Sequence, residues 1–267
     1  MGIDESLNRE LPSDLFEKER VIFAQWRNRQ APFAADGQFI EDGIVHYPTY
    51  SRTYPKLLFL LKEPNDSPKV DAAGNPQDRD EWNLAAWLGQ GALTDPLRGY
   101  KSWEVIARWV HDITASNQTP LPWADIEKQI GQHSVAERVA QFRKIAVVNI
   151  KKSGGGGNTN MEQLLPEIAV TRELITSQIR LCDPTVVVCG GTFVTYRDKI
   201  AQEAVKPNYT PRGVRWYLSP EIGIPVIDYP HYTYFPHLSP AVKPAMHYGL
   251  VDAVLAILSP TVPGGGA

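Results

Sequence analysis

Cysteine is scarce in this chain of 267 residues, which contains only Cys182 and Cys189. Two thiolates cannot by themselves hold an iron–sulfur cluster or complete a structural zinc site, since both take four ligands. Cys189 lies in the apolar run TVVVCGG and is predicted to be a small core residue with a reduced thiol. We therefore expect neither a cofactor nor a bound metal ion.

Long apolar runs are also missing, because no stretch approaches the roughly 20 residues that a transmembrane helix needs. The opening segment, MGIDESLNRE, contains no apolar signal core. These absences predict a cytoplasmic protein that does not enter a membrane.

An excess of basic charge is lacking as well. The chain has 27 Lys and Arg residues and 30 Asp and Glu residues, which gives a net charge of −3. Because no overall positive field attracts nucleic acid, any contact with DNA must come from a local basic patch.

What the sequence does contain is a series of short apolar runs typical of strands buried on both faces. They are KLLFLLK (56–62), KIAVVNI (144–150), PTVVVCGG (184–191) and IPVIDYP (224–230). Helical segments such as SWEVIARWVHDI separate them, and a helix with Ser13 as N-cap precedes them. This alternation predicts an α/β protein, a three-layer αβα sandwich around a central, mainly parallel four-stranded sheet.

The whole chain, 1–267, is predicted to form a single domain and to be a monomer. Its parts are an N-terminal helix and loop over 1–55, a core over 56–258 and a flexible tail over 259–267. A short hairpin is expected around QFIEDGIVHY, and a loop or edge hairpin is expected over 205–223.

The predicted strands end in residues that can carry chemistry, and functional sites of parallel sheets lie at these carboxyl ends. In chain order the ends are Lys62-Glu63-Pro64, Asn149, Gly190-Gly191 and YPHYTYFPHLSP. Each also has a simple structural explanation as a turn, a loop start, a surface histidine (His237) or a helix start (Ser239-Pro240). Their convergence at one sheet edge favours a functional site.

The loop KKSGGGGN allows two interpretations. Its glycines permit close approach of the backbone to a phosphate, and Lys151 and Lys152 add positive charge. It could equally be a flexible connection. A Walker A loop is excluded, because no Gly-Lys-Ser/Thr sequence ends the segment.

The ordered set LLFLLKEPN, KIAVVNIKKSGGGGNTN, DPTVVVCGGTFV and FPHLSPA resembles the uracil-DNA glycosylase superfamily over roughly residues 56–258. The resemblance implies a DNA glycosylase that hydrolyses the N-glycosidic bond of a flipped-out uracil or C5-modified pyrimidine. The partner would be single- or double-stranded DNA, and the role would be base-excision repair or defence against modified phage DNA.

The resemblance also assigns roles to individual residues. Glu63 would orient or activate the attacking water, and His237 would donate a hydrogen bond to the O2 atom of the base. Asn149 would read the hydrogen-bonding edge of the pyrimidine, beside Pro64 and Asn65. Ser239 and the nearby backbone match the loop that clamps a phosphate. Apart from the resemblance, a local basic patch for DNA is expected around Lys151, Lys152 and Lys243, with Ser153 beside it.

The chain departs from the family pattern in three respects. Glu63 is one methylene longer than the Asp or Asn of other branches. The branch with a four-iron cluster has an asparagine, a lysine and a second asparagine where Asn149, Lys152 and Asn158 stand, but it needs four cysteines. Asn65 replaces the tyrosine with which strict uracil enzymes block the pyrimidine C5 position, so we expect tolerance of C5 substituents.

The residue types also suit this chemistry when the family resemblance is left aside. A carboxylate can stabilise the sugar cation and take a proton from water, a histidine can stabilise the departing base, and an amide matches a pyrimidine edge. An aromatic ring should stack on the flipped base, and the candidates are Trp82, Tyr47, Tyr50 and Tyr232.

Two other functions stay open. One is a non-catalytic DNA-binding protein that recognises a modified base. The other is a metal-dependent phosphoesterase that uses Glu63, Asp66 and a histidine. His231, His237 and His247 could contribute to such a metal site, although the chain has no His-Glu-x-x-His motif.

Overall fold

The fold is known from a computed structural model. It describes residues 10–33, 38–64, 82–90, 101–116, 119–131, 135–154 and 161–259. The predictions for Asn65, Asp66, Asn158 and the tail over 260–267 lie outside these residues.

Strands and helices alternate along the described part of the chain. The strands are β1 (Ile40–Glu41), β2 (Gly43–Ile44), β3 (Leu57–Leu61), β4 (Trp82–Asn83), β5 (Ile145–Asn149), β6 (Val186–Gly190), β7 (Asn208–Tyr209), β8 (Arg215–Leu218) and β9 (Pro225–Tyr229). The helices are α1 (Ser13–Gln30), α2 (Tyr47–Tyr50), α3 (Leu84–Gln90), α4 (Lys101–Ala115), α5 (Trp123–Ile126), α6 (Val135–Phe142), α7 (Met161–Cys182), α8 (Phe193–Thr195) and α9 (Lys243–Leu258). Wider π-helical turns extend α5 over Glu127–Gly131 and α8 over Tyr196–Ile200, and a 3₁₀ helix spans Tyr232–His237.

Seven strands form one mixed sheet in the order β2-β5-β3-β6-β9-β8-β7. The neighbours among β5, β3, β6 and β9 pair in parallel. Strand β2 pairs antiparallel at one edge, and β8 and β7 pair antiparallel at the other. Strands β1 and β4 form a separate parallel pair.

The predicted α/β class is confirmed, but the sheet is larger and more mixed than the four strands expected. The edge hairpin expected over 205–223 is present as β7 and β8. The hairpin expected around QFIEDGIVHY is wrong, because β1 pairs with β4 and β2 pairs with β5. Strands of two residues are too short to show the alternating pattern from which strands are predicted.

Helices cover both faces of the sheet. Along β3, Leu57, Phe59 and Leu61 enter one apolar core, together with residues of α4 and α9. Leu58 and Leu60 enter a second core, with residues of α1 and α7. Side chains of a strand alternate between faces, so a strand buried on both faces must be apolar throughout, as the run KLLFLLK is.

The helix of the N-terminal segment begins at Ser13, but Ser13 is not its cap. Pro12 occupies the N-cap position, and no side chain caps the helix there. Phe23 and Trp26 lie on its buried face, where α1 packs against α7. The closing helix α9 begins two residues earlier than the predicted range of 245–258.

Within the described ranges, no helix is both long enough and apolar enough to cross a bilayer.

Candidate functional site

The carboxyl ends of β3 and β5 bring Glu63 and Lys151 together. The two strands stay paired beyond their last residues, because the amides of Ile150 and Lys151 donate to the carbonyls of Leu61 and Lys62, each at 2.9 Å. Lys151 Nζ lies 3.4 Å from Glu63 Oε2, and the two side chains are 16% and 9% exposed. A carboxylate therefore stands at the sheet edge, as predicted, but with a lysine as its partner.

Pro64, which follows Glu63, is buried. Its ring fixes the backbone φ angle directly after the carboxylate. The proline thus restrains the turn by which the chain leaves β3.

A second carboxyl group belongs to the same cluster and was missed by sequence reasoning. Glu167 of α7 is 1% exposed, and its Oε1 atom has no hydrogen-bond partner among the described residues. Burial raises the pKa of Glu167 to about 7, Lys151 opposes the rise, and Glu63 adds to it. Glu167 thus changes charge near neutral pH, beside the Glu63–Lys151 pair.

The histidine that follows β9 at this edge of the sheet is His231, not His237. The glycine pair after β6 makes room for it: a Cβ atom on Gly190 would lie 2.8 Å from Leu61 Cδ2 and 3.9 Å from His231 Cδ2. Gly191 has φ +69°, and a Cβ atom there would lie 3.3 Å from His231 Cβ. The His231 ring therefore leans over β6 towards the end of β3.

The imidazole of His231 is neutral and has a defined tautomer. Burial, and then the positive charge of Lys62, lower the pKa of His231 to about 4. Its Nδ1 atom lies 2.7 Å from Thr233 Oγ1 and accepts a longer hydrogen bond, of 3.4 Å, from the Thr233 amide. Since Nδ1 accepts, Nε2 carries the hydrogen and is a donor.

His237 lies at the end of the 3₁₀ helix and is exposed, as is Ser239. Lys243 begins α9 and lines a cavity of about 300 Å³ together with Arg108, Trp123 and His247. His237, Ser239 and Lys243 thus lie at or near the surface, in the segment of chain that follows β9. The strand-end rule would have selected His231, which stands two residues after Tyr229, whereas the match to His-x-Ser-Pro selected His237.

Asn149 ends β5 and is 1% exposed. Its backbone amide donates to Asp42 Oδ2 at 2.7 Å, and its side-chain Nδ2 donates to the same atom at 3.0 Å. Asp42 was not among the predicted residues. It stands between two short strands, and the sequence carries no sign of a contact with a residue so far along the chain.

The predicted phosphate contacts of Lys152 and Ser153 do not fit this structure, because both residues are buried. Lys152 has an exposure of 0%, and Ser153 of 3%. Lys152 Nζ donates to Asp42 Oδ1 at 2.5 Å and to Gln178 Oε1 at 2.9 Å. In this structure neither side chain is available to a DNA phosphate, so the basic patch predicted from two adjacent lysines is reduced to Lys151.

Of the four aromatic candidates for stacking, Tyr232 is the one in contact with the site. Its ring lies 4.4 Å from the His231 ring and 5.2 Å from the Trp103 ring. Tyr50 is 1% exposed and lies in the core on the α1 and α7 face, together with part of Tyr47. Trp82 packs edge-on against Trp87.

No three metal-ligating side chains cluster within the part of the chain that the structure describes. His247, one of the three histidines considered as ligands, is instead bound through Nε2 to Asp112 Oδ2 at 2.9 Å.

Comparison with known proteins adds no assignment, because no protein-family model and no curated protein sequence matches the chain. The chemistry of the site must therefore be argued from its geometry. One sheet edge presents a carboxylate with a lysine, a buried amide, and a neutral imidazole that can donate a hydrogen bond.

Proposed function

We propose that the chain is a DNA glycosylase that hydrolyses the N-glycosidic bond of a flipped-out pyrimidine. We propose a three-layer glycosylase-like sandwich. Its active site would lie at the carboxyl ends of β5, β3, β6 and β9. The observation that carries the proposal is that Glu63, Asn149 and His231 stand at the carboxyl ends of β3, β5 and β9, along one edge of the sheet. A carboxylate, an amide and a neutral imidazole are the groups that the reaction needs.

Glu63 is the group that acts on the sugar and the water. Breaking the bond between C1′ and the base leaves positive charge on the sugar, which a nearby carboxylate stabilises. The same carboxylate takes a proton from the water that adds to C1′. Lys151, 3.4 Å away, is the cation that the proposal assigns to the flanking phosphate.

His231 replaces His237 in the proposal as the group that stabilises the leaving base. The base departs with negative charge on its O2 atom, and a fixed neutral donor stabilises that charge without giving up its own proton. Nε2 of His231 is such a donor, because Thr233 occupies Nδ1 and the pKa of His231 is lowered to about 4.

Asn149 is 1% exposed in the free protein, and the proposal requires that entry of the flipped base uncovers its side chain, which then reads the base. Its amide offers both a donor and an acceptor, which suits the edge of a pyrimidine once the nucleotide has been extruded from the helix. Tyr232, against His231, is the aromatic ring in reach for stacking. Phosphate contacts fall to Lys151 and to the surface group of Ser239 and Lys243.

The proposal includes C5-modified pyrimidines among the substrates. Asn65 stands in the sequence where strict uracil enzymes have a bulky tyrosine, and its smaller amide could hydrogen-bond a hydroxyl at C5. Excision of uracil alone, with every C5-substituted base refused, would show that this extension is wrong.

The test is a panel of single strands and duplexes, each with one altered base, assayed for alkali-labile sites under single-turnover conditions. The bases are uracil, 5-hydroxymethyluracil, and hydroxymethylated or glucosylated cytosine. We expect abasic sites from at least one of them, with or without a chelator. Binding without excision would support a non-catalytic DNA-binding protein, and strand cleavage that a chelator abolishes would support a metal-dependent phosphoesterase.

His231→Ala and His237→Ala form a matched pair within this test. Loss of a donor to the developing anion typically lowers the rate by about 10²–10³-fold. We expect that loss for His231→Ala and a nearly unchanged single-turnover rate for His237→Ala. The reverse result would return the catalytic role to His237.

A further inference from the structure

A cavity of about 300 Å³ is formed by α4, the start of α5, the 3₁₀ helix and the start of α9. Its lining contains none of Glu63, Asn149 and His231, the three residues that carry the proposed function. Small-molecule sites have volumes of roughly 300–1,000 Å³. The cavity is therefore large enough for one compact ligand.

Part of the cavity wall is apolar and includes an aromatic ring that its neighbours hold in place. Trp123, Phe235 and Pro236 line this part. The Arg108 guanidinium lies 5.4 Å from the centroid of the Trp123 ring, and the centroid of the His247 ring lies 5.2 Å from it. Trp123 is only partly buried, so its ring offers apolar surface to a flat group of a ligand.

The segment that carries Trp123 is anchored on both sides. The Leu121 amide donates to Asp112 Oδ1 at 2.7 Å, and the Tyr248 hydroxyl donates to the Leu121 carbonyl at 2.9 Å. Asp112 is itself 0% exposed, and its Oδ2 lies 2.9 Å from His247 Nε2. Helices α4 and α9 thus fix this wall without a ligand, as is usual for small-molecule sites, which are largely preformed.

The charged side chains at the cavity favour an anion. Glu104 lines the cavity, but its Oε1 accepts a hydrogen bond from Arg108 Nη2 at 2.6 Å, and its Oε2 lies 3.7 Å from Arg138 Nη1. Two arginines thus balance one carboxylate. Lys243 also lines the cavity and forms no ion pair with a described residue. Positive charge therefore remains for a ligand.

Helix stability does not explain a lysine at position 243. Lys243 is the first residue of α9, which extends to Leu258. The N-terminal end of a helix carries the positive end of the macrodipole, which disfavours a cation and favours an anion. The lysine and the helix end thus add their positive potentials at the cavity.

A ligand that matches these features combines a flat ring with a phosphate. The ring packs against Trp123, and the phosphate binds Lys243 and Arg108, since ammonium and guanidinium groups are common protein ligands of phosphate. Glu104 can accept a hydrogen bond from a ring N–H or a ribose hydroxyl. We propose that this cavity is a second ligand site and that it binds a nucleoside monophosphate. The inference does not depend on glycosylase activity.

Isothermal titration calorimetry of the full chain with adenosine monophosphate, adenosine and inorganic phosphate tests the site. A purine is chosen because the proposed active site reads pyrimidines. We expect adenosine monophosphate to bind with a Kd below about 1 mM, and at least about tenfold more tightly than adenosine or phosphate. No binding of adenosine monophosphate at about 10 mM, or equally tight binding of phosphate, would overturn the proposal.

Lys243→Gln tests the anion contact. A hydrogen bond to a charged group typically changes affinity by about 10- to 150-fold, so we expect a loss of this size for adenosine monophosphate and almost none for adenosine. Lys128→Gln is the matched control, because Lys128 is an exposed lysine in the π-helical turn after α5 and does not line the cavity. An unchanged affinity in Lys243→Gln, or an equal loss in both variants, contradicts the proposal.

Trp123→Ala tests the ring contact. Loss of an aromatic ring that stacks on a base typically weakens binding by about 5- to 150-fold. We expect this loss for adenosine monophosphate and unchanged binding of phosphate, while Trp123→Phe should keep most of the affinity. If folded Trp123→Ala bound adenosine monophosphate as tightly as the wild type, the cavity would not be a nucleotide site.

Two further measurements locate the ligand and its source. Glu63→Gln should bind adenosine monophosphate with full affinity, and a loss would place the ligand at the sheet edge and overturn the proposal. A monophosphate also occurs at the 5′ end of a DNA strand, so oligonucleotides with and without a 5′-phosphate are compared. Tighter binding of the phosphorylated strand, abolished in Lys243→Gln, would support the site with a strand end as its ligand. Equal binding of both strands would support a free nucleotide. If no base is excised in the glycosylase test, the proposed function fails and these binding results still decide the second site.

Discussion

Lys151 and Lys152 are adjacent in the sequence and have opposite environments. Lys151 keeps some contact with solvent and pairs with Glu63 at 3.4 Å. Lys152 is fully buried and pairs with Asp42 at 2.5 Å. Both follow the end of β5, where successive side chains still point to opposite sides. One lysine therefore faces the sheet edge, and the other enters the core between α1 and α7.

The difference teaches that a pair of basic residues is not one feature. Read along the sequence, Lys151 and Lys152 indicate a basic patch for phosphate. In the fold, they pair with two carboxylates in different environments: Glu63 keeps some exposure at the sheet edge, and Asp42 is buried against Asn149. Burial lowers the pKa of Lys152, while Asp42 opposes that change.

The first prediction separates the two pairs by stability. Lys152→Met should lower the free energy of unfolding by about 3–5 kcal/mol, because it leaves Asp42 as a buried charge without a partner. Lys151→Met should cost less, because both side chains of its pair keep partial exposure, 16% and 9%. Urea unfolding of both variants measures the difference, and equal losses would show that the two environments are alike.

The second prediction concerns the edge pair itself. Glu63→Gln should lower base excision by about 10²–10⁴-fold, the usual contribution of a positioned acid–base group. Its free energy of unfolding should stay near that of the wild type, since Gln keeps the size of the side chain and Glu63 retains some exposure. Near-wild-type turnover on the true substrate would remove Glu63 from the catalytic role.

The comparison also shows which parts of the molecule could be predicted. The runs KLLFLLK and KIAVVNI predicted β3 and β5, because a strand buried on both faces is apolar at every position. Glu63 at the edge followed from the rule that strand ends converge. These inferences depend on local sequence alone.

Asp42 and Lys152 could not be predicted in the same way. Their contact depends on the register of the two-residue strand β2 against β5, and no local sequence pattern predicts that register. His231 could have been found, because it stands two residues after β9, but motif matching favoured His237. The Asp42–Lys152 contact thus depends on long-range pairing, whereas the choice between His231 and His237 is one between two local rules, which the matched alanine variants decide.

The third prediction tests Glu167, beside the edge pair. Its folded pKa of about 7 lies above the ordinary carboxyl value of 4.5, so the folded protein holds a proton that the unfolded chain releases between these values. Stability should therefore fall by up to about 3 kcal/mol as pH rises from 4.5 to 7. Glu167→Gln should abolish this fall in urea titrations across that range.

The matched control is Glu173→Gln, an exposed carboxyl on the same helix. It should keep the wild-type pH dependence. If Glu167→Gln also kept it, Glu167 would not hold its proton in the folded state, and the charge of the edge cluster would be independent of pH near neutrality.

The smallest expected effect is in the salt dependence of DNA binding. Each phosphate that the protein neutralises steepens the slope of log K against log salt by about 0.9. With Lys152 buried, few cations remain at the edge, so the slope should be shallow. Lys151→Gln should reduce it by about 0.9 if Lys151 leaves Glu63 for a phosphate, whereas Lys18→Gln, at an exposed position of α1, should not change it. An unchanged slope in Lys151→Gln would mean that Lys151 stays with Glu63 in the complex and that both lysines after β5 serve carboxylates rather than DNA.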